Sequence, residues 1–159
     1  MTSAWQRFVA LLDDERRALR ELGDAALALT DALVHNDPDS VENAQRLVEA
    51  RRVLHGTAYA QRAAMQRRGF GTLTLRQVCG YAPPPLRRRV YGAVRELETQ
   101  SIALRLTVSN NKALILAGMD RLKRTVQVLQ RAGTEQTGTY RRRGIVPPPD
   151  GSVLVSRRA

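Results

Sequence analysis

Few side chains in this chain are suited to covalent chemistry. Its 159 residues hold two histidines, His35 and His55, and one cysteine, Cys79. Neither histidine is accompanied by a Cys or carboxylate set at metal-ligand spacing, and one thiol with two distant imidazoles does not make a nucleophile–base arrangement. No Walker-type loop or dinucleotide fingerprint occurs; Gly69-Phe70-Gly71 is too short to count. The reading is therefore of a protein that is not an enzyme and needs neither metal nor cofactor. The residues that call for a reason are amides. In VSNNKALIL, residues 108–116, Asn110 and Asn111 interrupt an apolar stripe. At a seam position Asn111 would give up stability to fix register or to bind a partner's backbone. Buried alone it would cost about 1–3 kcal/mol. It is thus expected either to pair across the bundle or to face a partner groove. Asn110, one residue around, is expected in water, and a simpler reading puts both at solvated edges.

Three long helices must carry these residues. From about residue 3 to 35, apolar positions recur at Trp5, Phe8, Leu12, Leu19, Leu22, Ala26, Leu29 and Leu33. The steps alternate between three and four, interrupted once at Glu15. HNDPDS then breaks the pattern, with Asp37 as a cap and Pro38 at the first helical position. A second helix runs over 38–68 with the seam Ala44, Leu47, Leu54, Ala58 and Met65, stopped by Gly69. A connector, 69–83, includes one or two helical turns capped by Thr74. The third helix, about 84–131, has the cleanest seam, from Leu86 through Val90, Ala93, Leu97, Gln100, Leu104, Thr107, Asn111 and Leu114 to Leu129. Gly133 is expected to close it. Residues 133–159, rich in Gly, Pro and Arg, read as a flexible, disordered basic tail. The expectation is an all-α fold. It is an elongated antiparallel three-helix bundle over 1–132, a coiled-coil-like hairpin with a longer third helix.

Composition agrees with helices packed on helices: hydrophobic residues are 43% and aromatics only 4%. The net charge of +11 is uneven. Residues 1–50 hold 5 basic and 10 acidic side chains (−5), 51–100 hold 10 and 2 (+8), and 101–159 hold 11 and 3 (+8). Such asymmetry fits an anionic partner or, more simply, complementary halves of one bundle. The clusters LRRRV and YRRRG lack the interleaved aromatics of a nucleic-acid fold, so no nucleic acid is expected. No stretch approaches the 18 or so apolar residues of a membrane span, so no membrane insertion is expected. A lone cysteine and an acid-bearing N-terminal segment fit a reducing, cytoplasmic location.

The layout resembles the FlgN-type flagellar export chaperones. The resemblance is carried by Asn111 with Leu114 and Ile115 (NKALI), by Tyr140 with Gly144 (TYRRRG), and by Leu73 and Leu75 in the connector TLTLRQV. It covers nearly the whole chain and rests on the order and spacing of weak motifs. Families of this kind often carry paired Asn residues three apart, and here Val108 stands in place of the first. The resemblance implies a non-enzymatic chaperone of the flagellar type III secretion apparatus. Its clients would be the C-terminal helical segments of the hook-associated proteins FlgK and FlgL. It would keep them from assembling early and deliver them to the export gate.

The geometry of the helices gives such a client a place. At about 1.5 Å per residue the first two helices are roughly 45–50 Å long and the third roughly 70 Å. In an up-down-up arrangement the third helix outruns its partners near Gly118. The stripe of Leu122, Val126 and Leu129, with Met119 beside it, is then left without an internal partner. Client binding is accordingly assigned to Asn111, Leu114, Ile115, Met119, Leu122, Val126 and Leu129. Self-association through the same stripe is the simpler alternative, so the chain is read as monomer or dimer. Tyr140, steered by Arg141, Arg142 and Arg143, is assigned to docking on the cytoplasmic domain of the export gate. Two competing classes are a basic coiled coil that binds nucleic acid or anionic membrane, with steep salt dependence, and a dimeric helical adaptor.

Overall fold

The computed structural model describes the backbone of residues 2–142 and the side chains of residues 3–132. The described residues are all-α, with no strand. Four helices occur in order: α1 (Thr2–His35), α2 (Pro38–Phe70), α3 (Leu75–Gly80) and α4 (Pro84–Arg142). The chain divides into two units, Met1–Leu116 and Ala117–Ala159.

The break between α1 and α2 takes two residues. Asn36 adopts φ 54°, and its N–H donates to Leu33 O while that of Asp37 donates to Ala32 O. These are the two bonds of a Schellman stop, with Asn where Gly is commonest. Asp37 is the N-cap of α2 and Pro38 comes next in its first turn, as the sequence implies. The capping itself differs from expectation. The Asp37 carboxylate accepts from the Ser40 hydroxyl and makes no side-chain cap bond to the helix backbone. This hydroxyl is the main reason its pKa is lowered.

Ion pairs set the register inside the first unit. Glu15 meets Arg62 and Glu21 meets Arg51, so numbers fall along α2 as they rise along α1. Asp13 meets Arg89, and Arg16 and Arg20 both meet Glu96, so α4 runs in the direction of α1. The acid-rich N-terminal segment and the Arg-rich middle of the sequence thus face each other.

The core gathers at the end of this unit where α1 begins. It joins Trp5, Phe8, Val9, Leu12 and Leu19 of α1 to Val90, Ala93, Val94 and Leu97 of α4, with Val78, Cys79 and Ala82 beneath. The only tryptophan and both phenylalanines are spent here: Trp5, Phe8 and Phe70 stack edge to face or tilted, with centroids 5.2–5.8 Å apart. The short α3 is held by a capping box. Thr74 Oγ1 accepts from Gln77 N, and Gln77 Oε1 accepts from Thr74 N. That box points Val78 and Cys79 into the core.

Three expectations need correction. Gly69 does not stop α2; the helix continues to Phe70, and the positive φ (63°) falls on Gly71. One more residue brings the Phe70 ring onto Trp5 and Phe8. Leu47 and Leu54, placed in the α2 seam, are exposed. Gly133 does not close α4, which runs on to Arg142. Glycine ends a helix only where the chain turns left-handed after it, and inside a helix it costs only about 1 kcal/mol. Residues 133–142, expected in the tail, are therefore backbone of α4, while 143–159 lie outside the described residues.

Candidate functional site

The seam of α4 contains two amides, and the structure treats them differently. Asn111 is 5% exposed. Its Nδ2 donates to Ala26 O at 2.9 Å, and its Oδ1 accepts from Thr30 Oγ1 at 2.7 Å. The opposite amide orientation would set Oδ1 against the Ala26 carbonyl, so these partners fix the assignment. The amide that breaks the apolar stripe is thus paired across to α1, and Asn110 is exposed. About three helical turns before it, Gln100 donates to Glu96 at 3.2 Å, but its buried Oε1 has no partner among the described residues.

A second polar lock goes beyond the sequence expectations. Glu15, which interrupts the α1 seam, is 4% exposed, and Arg62 of α2 is 7% exposed. Arg62 Nε and Nη2 grip its two oxygens at 2.6 and 3.0 Å. Arg62 Nη1 also donates to Gln66 Oε1, whose Nε2 donates to Leu73 O in the connector, both at 2.6 Å. The Tyr59 ring lies 4.9 Å from the guanidinium carbon. The signal is present in the spacing. Arg62 fills the seven-residue gap between Ala58 and Met65 of α2, as Glu15 fills the gap between Leu12 and Leu19 of α1. Arg51 fills the gap between Leu47 and Leu54 in the same way, and meets Glu21 at 2.7 Å.

The Asn111 pairing ties α4 to α1, and Asn111 is the last described side chain of that helix to be buried. Leu114 is half-buried. From Ile115 through Ala132 every side chain is exposed. In the second unit Met119, Leu122, Val126 and Leu129 succeed one another at steps of three, four and three, one face of a helix, and Ile115 is exposed in the first. Leu122 and Leu129 are about two-thirds exposed, at 65% and 66%. In the second unit Arg121, Arg124 and Thr125 line a shallow groove with Val128 and Leu129. Of the seven side chains assigned to client binding, six therefore keep apolar surface available to different degrees, while Asn111 spends its polar atoms inside the chain. Tyr140, Arg141 and Arg142 lie on the last turns of α4, but their side chains are outside the described residues, as is Arg143 altogether.

Cys79 and Arg76 have partners within the fold. Burial pushes the Cys79 thiol up, and Sγ donates to Leu75 O at 3.4 Å. Glu98 bonds Arg76 at 2.7 Å and holds its guanidinium more firmly protonated. Among the described residues no group of three or more His, Cys, Asp or Glu is placed to hold a metal, and no helix is long and apolar enough to cross a membrane. Among the described residues, the part of α4 after Asn111 presents apolar side chains to water.

No curated protein and no solved structure matches the chain. A family model, described as FlgN protein, matches residues 1–147. That span takes in all four helices, the Asn111 lock and the exposed stripe, and the chain belongs to the FlgN family of flagellar export chaperones.

Proposed function

We propose that this chain is a cytoplasmic flagellar chaperone for the hook-associated proteins FlgK and FlgL, and that it grips their C-terminal helical segments with α4. The observation that carries this is the run of exposed apolar side chains at heptad spacing in a chain of this family. Met119, Leu122, Val126 and Leu129 form the centre of the face. Ile115 and Leu114 contribute in the first unit, and Asn111 acts by holding α4 in register on α1. An amphipathic client helix laid on such a stripe buries what water now wets, at about 25 cal/mol per Å² of apolar area. The covered client helix cannot pair with its assembly partners. In this reading the α1, α2 and α4 elements form an antiparallel three-helix bundle that acts as a rigid handle.

Delivery falls to the end of α4 and the residues beyond it. Tyr140 is an aromatic anchor, and Arg141, Arg142 and Arg143 steer it to an acidic surface on the export gate. Export of FlgK and FlgL from a strain relying on chain truncated after Gly133 tests this division. The expected result is retained client binding with reduced export. Loss of client binding in the truncated chain would refute it.

A further inference from the structure

The first unit has a grooved face of exposed aromatic and basic side chains, on the side where α2, α3 and α4 meet. Its centre is the Arg76–Glu98 bridge, and grooves open on both sides of it. Tyr59 and His55 of α2 line one groove, Tyr91 and Arg95 of α4 the other, and Ile102 borders both. Tyr59, Tyr91 and Ile102 are all exposed large side chains, at about half their area or more. Tyrosine and arginine around an apolar residue is the composition of binding hot spots rather than of ordinary helix surface.

Charge identifies the occupant. The face holds two carboxylates, Glu15 and Glu98, and each is already paired, with Arg62 and Arg76. Two further guanidiniums, Arg95 and Arg105, line the grooves without a carboxylate among the described residues. The face is therefore basic by two charges after internal pairing. The chain's own residues 141–159 are a poor occupant, with five arginines against one aspartate.

We infer that the Tyr59–Tyr91–Ile102 face, flanked by Arg95 and Arg105, docks an acidic amphipathic helix of another protein. Apolar positions of that helix cover Ile102 and the tyrosine rings, and its carboxylates meet Arg95 and Arg105. This face is separate from the α4 stripe, and its occupation does not depend on the client reading.

Isoleucine methyl NMR tests it, because the chain has only three isoleucines: Ile102 in this face, Ile115 near the stripe, and Ile145. The probe is a helical peptide with leucine at heptad a and d positions and glutamate at the flanking ones. Its counterpart carries lysine instead. The glutamate peptide should shift the Ile102 methyl, whether or not Ile115 also responds through the α4 stripe, and the Ile102 shift should show about tenfold weaker binding to R95E/R105E. Tyr91→Ala should weaken it by a similar factor, and Leu122→Asp should have no effect. Equal binding of the lysine peptide would overturn the inference. So would undiminished binding to R95E/R105E, or an Ile115 shift without an Ile102 shift. A concentration-dependent Ile102 shift without peptide, abolished by R95E/R105E, would overturn it too, by assigning the face to a second copy of the chain.

Discussion

Thr30 and Asn111 are 81 positions apart in sequence and 2.7 Å apart in space, hydroxyl to amide oxygen. Thr30 has one hydroxyl proton and two acceptors in reach, Asn111 Oδ1 at 2.7 Å and Ala26 O at 3.1 Å. At this point of the seam the amide's bond to Ala26 O ties α4 to α1 whichever acceptor the Thr30 proton takes. Replacing Asn111 by Asp turns that donor into an acceptor facing a carbonyl. Asn111→Asp should lose about 1–3 kcal/mol near neutral pH, by thermal or urea unfolding. Burial raises the new carboxyl's pKa in the folded state. The loss should then be largest above that raised pKa and shrink as pH falls through it, since the protonated acid again donates. A pH-independent loss would mean that the donor is not what matters.

Gln100 makes the contrasting case, for its Oε1 is buried with no partner among the described residues. An unpaired buried acceptor is costly, whereas an apolar side chain of the same shape is not. Gln100→Met should be neutral or raise stability by up to about 1 kcal/mol, read as a higher urea midpoint at unchanged slope.

The Glu15–Arg62 pair should respond unequally to single and double replacement. Arg62→Met leaves Glu15 buried and unpaired, and should cost about 3–5 kcal/mol. Glu15→Leu with Arg62→Met removes both charges and should recover most of that. A double variant as unstable as the single would show that the pair contributes net energy rather than register.

The tight α1–α2 break supplies a test of the backbone. Asn36→Val places a branched side chain at φ 54° and should cost about 1–2 kcal/mol, while Asn36→Gly should cost nothing measurable. Equal effects of the two would mean that the Asn36 conformation is not what shapes the turn.

How much of the fold can be read from the sequence depends on which interactions have a period. Along α4, Val90, Ala93, Leu97, Leu104, Thr107 and Asn111 are buried or half-buried as their spacing implies, because one helix packed along another selects every third or fourth residue. The seam of α2 misleads at Leu47 and Leu54, which share the heptad pattern yet stay wet. Periodicity marks a stripe without saying whether anything covers it. Glu15 and Arg62 are legible only as a pair, since each alone reads as an interruption. The extent of α4 past Gly133 is not legible, because a glycine's role depends on the backbone angle it takes. For the apolar side chains after Asn111, the pattern locates the stripe, and their exposure is what turns it into a candidate interface.

Calorimetry with the C-terminal helical segment of FlgK from the same organism asks whether the α4 stripe receives a client helix. The titration is run at low and high salt with the full chain and with Leu122→Asp and Leu129→Asp. The expected result is binding that tolerates salt, has a negative heat-capacity change, and weakens by about 2 kcal/mol or more, roughly thirtyfold, in either variant. No binding to this segment or to its FlgL counterpart, or affinity untouched by both aspartates, would contradict the assignment of the stripe.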